Sequence, residues 1–311
     1  MVEHRRLAIL MSTFNGEAFL GEQLDSILQQ SFTDFIIVAR DDGSEDRTPG
    51  ILTRYAAEHA GRLFILPDEG GNLGAKASFA ALMQYVLEHK SELGLAHAYM
   101  MFADQDDVWA ANKIEIEFNS LLLLEQEDGY RMPALVHSDL EVVDREGKRI
   151  AASYIAYQGL QTQRDSLVNQ VQSNLVTGCT VVINEELALK VLPIPDQAIM
   201  HDWWIAIAAV AYGRRLFIDQ RLVRYRQHGR NTIGAKPFIA VAPSAKSLWG
   251  KLRAYQTNPH LFEVAEQSRA VLRHHGGALS LRHRLGLQLL GCVNVRSGLL
   301  QILLFRLARY F

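Results

Sequence analysis

Three aspartates in four positions, Asp104, Asp106 and Asp107, directly follow the apolar run Tyr99–Ala103. Carboxylates this close repel one another and raise each other's pKa unless a cation or hydrogen-bond donors neutralise them. A hard divalent ion, Mg²⁺ or Mn²⁺, held by one or two carboxylates together with substrate phosphates, would do so. The competing use of the same residues is an aspartate-rich turn capping a helix from about Val108. Two more polar clusters, Ser12–Asn15 and Asp41–Ser44, also stand directly after apolar runs.

The elements that must position these clusters alternate. Leu7–Ser12, Phe35–Ala39, Leu63–Leu66 and Tyr99–Ala103 have the length and bounding residues of buried strands. Between them, Leu20, Leu24, Ile27 and Leu28 fall on one face of a helix, a second helix is expected over Arg47–Glu58, and Phe79, Leu82, Met83, Val86 and Leu87 mark a third. Strand–helix alternation with short polar connections predicts a parallel, doubly wound α/β sheet. Ligands of such sheets bind at the carboxyl ends of the strands. All three polar clusters therefore belong on one edge, which favours a nucleotide site over three unrelated turns. It is not a dinucleotide fold: no Gly-x-Gly-x-x-Gly follows the first strand, and no Gly-x-x-x-x-Gly-Lys-Ser/Thr loop occurs.

Farther along, strands are expected at Ala134–Ser138, Val176–Ile183, Leu216–Asp219 and Leu222–Tyr225. A strand running into a tight turn is expected at Glu141–Lys148, and a loop at Tyr157–Asp165. Gly178 inside its run signals a bulge or a close backbone approach. His201–Trp204 opens a helix to about Tyr212, and the main domain is expected to end between Ile233 and Pro243.

Composition narrows the class. The 311 residues are 49% hydrophobic and 21% charged, ordinary for a globular protein. The net charge of −2 conceals a split: Ala245–Phe311 carries ten Lys/Arg against two Glu, a net +8 that leaves −10 for the rest. A basic tail on an acidic body suits anionic surfaces. Cys179 and Cys292 are too few and too far apart for a disulfide framework or a thiolate zinc site. Glu3–Arg6 leads straight into the first strand without a signal-peptide pattern, so a cytoplasmic location is expected. Leu285–Phe305 is strongly apolar yet carries Arg296 in mid-run, with Arg282, Arg284, Arg306 and Arg309 around it. That pattern opposes a transmembrane span and suits a helix lying in a membrane interface; packing on the main domain or on a second subunit would use the same face.

Residues 7–230 resemble the family-2 glycosyltransferases, whose nucleotide-sugar fold is called GT-A. Met11–Asn15 is similar to that family's first-strand nucleotide loop, Asp41–Ser44 to its Asp-Asp-Gly-Ser signature, Asp104–Asp106 to its Asp-x-Asp metal motif and His201-Asp202 to its base motif. The segments 72–76, 104–109, 201–204 and 225–231 resemble bacterial rhamnosyltransferases in particular. The Gln-x-x-Arg-Trp motif of processive relatives is absent, which favours addition of one or a few sugars.

The resemblance implies a GT-A domain over residues 1–235, a basic helical extension over 236–311, and a role for each matching position. Asp42 would accept a hydrogen bond from the pyrimidine N3–H, with Thr13 and Asn15 lining the nucleotide pocket and Lys76 contacting phosphate. Asp104 would approach the ribose or the metal. Asp106 would bind the metal, with His228 as an additional ligand, and Asp107 would cap the next helix. Asp202 would act as general base, or cap a helix starting at Trp203. Trp203 and Trp204 would stack on sugar rings or pack in the core, and Arg226 and Arg230 would pair with the diphosphate. The implied activity is metal-dependent inverting transfer, with Mg²⁺ or Mn²⁺, from dTDP-L-rhamnose or a UDP-hexose to a lipid-linked glycan in cell-surface polysaccharide or O-antigen assembly, at the inner face of the membrane. Homo-oligomers are compatible with it and nucleic acid is not a partner. A sugar nucleotidyltransferase would need a Gly-rich, basic loop after the first strand, which Met11–Asn15 lacks; a catalytically dead glycan-binding scaffold would not need Asp42, Asp106 and Asp202 together.

Overall fold

The near-continuous apolar runs of the N-terminal half form parallel strands buried on both faces, as such runs do when helices cover each side. The computed structural model describes residues 5–67, 71–128, 132–162, 166–229 and 258–311. In it, β1 (Leu7–Thr13), β2 (Phe35–Asp41), β3 (Leu63–Ile65) and β4 (Tyr99–Ala103) pair in parallel in the order β3-β2-β1-β4. The crossovers are α1 (Leu20–Leu28), α2 (Thr48–Glu58) and α3 (Ala75–Glu88). Strand alternation divides the core: Ala8 and Leu10 face Phe79, Leu82, Met83 and Val86 of α3, while Leu7, Ile9 and Met11 face Leu20, Leu24 and Ile27 of α1. The expected α/β architecture is therefore present, with its mostly parallel first half intact.

Beyond β4 the sheet becomes mixed. After β5 (Val108–Trp109) and α4 (Lys113–Asp128), the chain builds β6 (Ala134–Val143) and β7 (Arg149–Ala151), then α5 (Tyr154–Gln158) and α6 (Leu167–Gln172). Next come β8 (Val181–Ile183), α7 (Glu185–Val191), α8 (His201–Tyr212) and β9 (Arg214–Arg226). β8 runs antiparallel between β4 and β6, β9 lies parallel to β6, and β5 closes on β9 in antiparallel register. Four expectations need correction. No helix starts at Val108: Val108 and Trp109 pair with Arg224 and Val223, and the helix begins only at Lys113. The strand expected over Val176–Ile183 is confined to Val181–Ile183, because Gly178–Thr180 turn as a 3₁₀ segment to meet α8. The two short strands at Leu216–Asp219 and Leu222–Tyr225 are one strand, β9, whose register slips against β6 near Asp139 and breaks the apolar alternation without turning the chain. Tyr157 and Gln158, expected in a loop, close α5; residues 163–165 lie outside the described set.

The apolar tail is not one helix. It divides into α10 (Leu281–Gly291) and α11 (Gly298–Ala308), with Ser297 capping α11 by accepting the Leu300 N–H. Together with α9 (His260–His275) it packs on the main body: Val264, Ala270, Val271, Leu287, Leu290 and Ala308 join the core cluster that contains Trp204. No helix among the described residues is long and apolar enough to cross a membrane. The expected 235/236 boundary and the stretch Ile233–Pro243 lie outside the described residues.

Candidate active site

Because β1, β2 and β4 are parallel neighbours, the loops at their carboxyl ends meet, and side chains bolt them together. Thr13 Oγ1 donates to Asp41 Oδ1 at 2.9 Å, directly across the β1–β2 register. Ser44 Oγ donates to the same oxygen at 2.6 Å and accepts the Asn15 N–H at 2.8 Å. Asn15 takes the left-handed conformation at φ 49°, a region asparagine enters more readily than most residues, and its Oδ1 accepts the Glu45 N–H. Gln105 exchanges two hydrogen bonds with the backbone of Phe14, at 2.8 and 2.9 Å. Gly16 makes room for it, since a Cβ there would stand 2.2 Å from Gln105 Oε1. Neither Gln105 nor Gly16 was singled out in the sequence, because neither residue type carries a chemical signal by itself.

Asp42 is buried at the end of β2. Its carboxylate accepts from Arg40, from the Leu73 N–H at 2.7 Å and from the Gly74 N–H at 2.8 Å. A carboxylate has about four acceptor positions, so these three bonds leave room for one more donor.

The acidic loop is held from the far end of the chain. Arg226, the last residue of β9, donates from Nε to the Asp106 carbonyl at 2.9 Å and from its backbone N–H to Asp107 Oδ1 at 3.1 Å. Its guanidinium also reaches Glu22 Oε2 and the Arg145 carbonyl and lies 4.8 Å from the Phe19 ring centre. These contacts correct two expectations. Asp107 caps no helix; it fastens β9 to the acidic loop. Arg226 spends its donors on the protein and locks the loop instead of offering an open fork to a diphosphate. Two residues on, His228 Nε2 lies 2.7 Å from Asp106 Oδ2, and its ring stacks on Phe19.

The carboxylates share one buried neighbourhood. Burial, then the charges of Asp106 and Asp202, push Asp104 up to about 7. Burial also raises Asp106, opposed by His228, and holds Asp107 well above the usual carboxylate range, reinforced by Asp106 and Asp104. Ligand atoms of Asp104, Asp107 and Cys179 all lie within 4.8 Å of one another. Crowded, desolvated carboxylates of this kind fit a divalent cation.

Asp202 faces the same neighbourhood from the first turn of α8. Its Oδ1 accepts the Trp203 N–H at 2.6 Å and its Oδ2 accepts the Gly178 N–H at 3.0 Å. Burial pushes Asp202 up to about 7 against the pull of those bonds. The cap position belongs to Met200, so Asp202 is not the N-cap of a helix starting at Trp203. Gly178 must approach closely, as a Cβ would sit 3.1 Å from His201 Nε2. The His201 ring stacks on Phe79 and lies against Phe102, and burial pushes its pKa down to about 3, so it is neutral. Tyr154 and Tyr225, neither of which the sequence marks as a site residue, pack edge to face at 6.1 Å. After burial, the charge of Asp202 raises Tyr154 and that of Asp104 raises Tyr225, so both hydroxyls border the acidic centre.

Other expected residues sit elsewhere. Lys76 Nζ donates to the carbonyls of Asp196 and Ala198, at 2.6 and 2.8 Å, tying α3 to the loop before α8. Trp203 and Trp204 offer no open ring face to a sugar: both are buried, with Nε1 donating to the carbonyls of Gln170 and Val191 respectively. Trp204→Ala is therefore expected to lower unfolding stability by about 3–5 kcal/mol, the usual cost of truncating a core tryptophan, as measured by urea unfolding. Arg230 lies outside the described residues.

Comparison with known proteins bears on the fold and on the first part of the chain. Residues 8–124 match the family model described as glycosyl transferase family 2. The chain is 27% identical over 243 residues to dTDP-rhamnosyl transferase RfbG of Shigella flexneri, covering 72% of this chain and 74% of that one. It is 23% identical over 192 residues to the UDP-Glc:alpha-D-GlcNAc-diphosphoundecaprenol beta-1,3-glucosyltransferase WfgD of Escherichia coli, covering 61% and 64%. Staphylococcus aureus TarS, solved with UDP-GlcNAc, has a similar fold at TM-score 0.57 and 16% identity, over 91% of this chain and 70% of that one. Mannosyltransferase PcManGT of Pyrobaculum calidifontis, solved with GDP-Man and Mn²⁺, gives 0.54 and 13%, over 99% and 74%. The fold is thus the GT-A fold of nucleotide-sugar transferases, and its first part, residues 8–124, is similar to glycosyl transferase family 2.

Proposed function

We propose that the chain is a metal-dependent inverting glycosyltransferase that moves L-rhamnose from dTDP-L-rhamnose to a lipid-linked glycan during cell-surface polysaccharide assembly, working at the inner membrane face. The observation that carries this reading is Asp202, a carboxylate with a pKa of about 7, fixed by two backbone N–H groups and within electrostatic reach of Asp104. A base tuned near the working pH is the efficient choice for removing a proton from a sugar hydroxyl. In the proposed step Asp202 takes that proton as the acceptor oxygen attacks the anomeric carbon. The bond to the nucleoside diphosphate breaks on the opposite face, which inverts the configuration.

Asp42 has an acceptor position left for the pyrimidine N3–H, and the Thr13–Asn15 turn lies beside it. Asp106, Asp104 and His228 would hold the ion, whose Lewis acidity would neutralise charge on the departing diphosphate. The choice of donor follows the Shigella relative, a dTDP-rhamnosyl transferase. A UDP-hexose is the second reading, favoured by the glucosyltransferase relative, whose name also supports a lipid-linked acceptor.

Thermal stabilisation by dTDP, UDP and GDP, each with Mn²⁺ or with EDTA, tests the donor site, since a ligand that binds only the folded chain raises apparent stability with occupancy. The expected result is stabilisation by dTDP above the others, abolished by EDTA. A larger effect of UDP would select the second reading, and release of pyrophosphate from a nucleoside triphosphate and a sugar 1-phosphate, with no nucleoside diphosphate formed from a nucleotide-sugar, would sink both.

A further inference from the structure

The C-terminal hairpin presents a surface that the catalytic site does not use. On α11, Leu300, Leu303 and Leu307, followed by Tyr310, are spaced by three or four residues and so share one face. On α10, Leu281 and Leu285 are likewise a helical turn apart. All six are between 42% and 77% exposed. The two helices meet there, because Arg282 donates to the Tyr310 carbonyl at 2.8 Å and Gly286 lies against Phe311. Single exposed leucines are ordinary, but a contiguous apolar patch bordered by charge marks an interaction surface.

The segment is basic as a whole, with seven arginines against two glutamates over residues 258–311, and Arg306 and Arg309 stand at the end of α11 beside Leu307 and Tyr310. Arg306, Arg309, Tyr310 and Asn169 line a cavity of about 490 Å³ at the edge of the leucine face. An aliphatic stripe flanked by arginines has the chemistry of a bilayer interface: the leucines enter the acyl region while the guanidinium groups meet phosphate headgroups.

This face is also registered to the active site. Trp203, next to Asp202, donates to the Gln170 carbonyl of α6. Two residues farther along α6, Gln172 donates to the Phe305 carbonyl of α11 and accepts from Arg309. A docked hairpin therefore holds the base at a set position over the surface it rests on.

We propose that the exposed face of α10 and α11, with the Arg306–Arg309 cavity at its edge, docks this protein on an anionic lipid bilayer. The proposal rests on the reading of a lipid-linked acceptor for its purpose but not for its test. Co-sedimentation of the full chain with vesicles of phosphatidylglycerol and phosphatidylethanolamine, or of phosphatidylcholine alone, measures docking without donor or acceptor. The expected result is binding to the anionic vesicles that weakens with salt. The paired variant Leu303→Glu, Leu307→Glu and the single variant Arg306→Glu should each reduce it about tenfold or more. Both variants alter exposed residues away from the active site, so they should keep the wild-type circular dichroism and transfer to a water-soluble acceptor. Absence of binding to anionic vesicles, or binding unaffected by both variants, would overturn the proposal. So would a stable dimer dissociated by the leucine variants, which would assign the face to a second copy. Vesicle binding with no transfer to any soluble acceptor would leave docking standing and count against the catalytic reading instead.

Discussion

Asparagine in place of Asp202 should lower kcat by a factor of about 10³, within the range attributed to a lost general base, while nucleoside diphosphate still stabilises the protein as it does the wild type. The amide keeps the shape of the carboxylate, and its oxygen can still accept one of the two backbone N–H groups from Gly178 and Trp203. What it cannot do is take a proton. Wild-type kcat should rise with pH through about 7, where Asp202 ionises, and the residual activity of Asp202→Asn should be flat across that range. A wild-type profile already flat between pH 5 and 8, or a variant retaining full kcat, would remove Asp202 from the role.

The same group makes a stability prediction of definite sign. The folded-state pKa of Asp202, about 7, lies above its ordinary value of 3.8. Between those values the folded chain holds a proton that the unfolded chain has released, so stability falls as pH rises across the window. A shift of this size corresponds to a cost of order 4 kcal/mol above neutrality. Asp202→Asn removes that cost and should raise the melting temperature near pH 8, with little change near pH 3, below both values, where both states are largely protonated. An enzyme that becomes more stable as it loses activity is storing the cost of a desolvated base.

The fold's parallel half was legible because both of its signals are local. Four apolar runs with helical periodicity between them specify strands, crossovers and, through the carboxyl-edge rule, the meeting of the Thr13, Asp42 and Asp104 loops. What escaped depends on tertiary contact. Val176–Ile183 has β-branched composition throughout, yet the Gly178 N–H leaves the sheet for Asp202. Nothing in a Trp-Trp pair separates a sugar platform from a core plug; burial by α6, α7 and α9 decides it. Arg226 has the residue type of a phosphate ligand, but its donors are used by groups from Glu22 to Arg145 that are distant in sequence. Tyr154 and Tyr225 carry no site signal in the sequence because a half-buried tyrosine is common, and only packing brings them within electrostatic reach of Asp202 and Asp104.

Alanine at Asp106 should abolish metal-dependent transfer, by about 10³-fold or more, and abolish stabilisation by nucleoside diphosphate with Mn²⁺. The variant is informative because the loop does not depend on that side chain. Arg226 is held by the Asp106 carbonyl and by Asp107, and Gln105 still bridges to Phe14. Deleting a carboxylate that burial has raised also relieves electrostatic crowding, so folding should survive, and His228 keeps its stacking on Phe19. His228→Ala should give a milder version of the same defect, with a higher Mn²⁺ requirement, since it removes one ligand and leaves the carboxylates. The competing placement lies close by, where Asp104, Asp107 and Cys179 converge within 4.8 Å. If metal dependence persists in Asp106→Ala and disappears in Asp107→Asn, the ion belongs to that group. Its sulfur ligand would then favour Zn²⁺ over Mg²⁺, and Cys179→Ser should reverse that preference. Titrating the four variants with Mg²⁺ and with Zn²⁺ distinguishes the two placements by which ligand loss shifts the metal requirement.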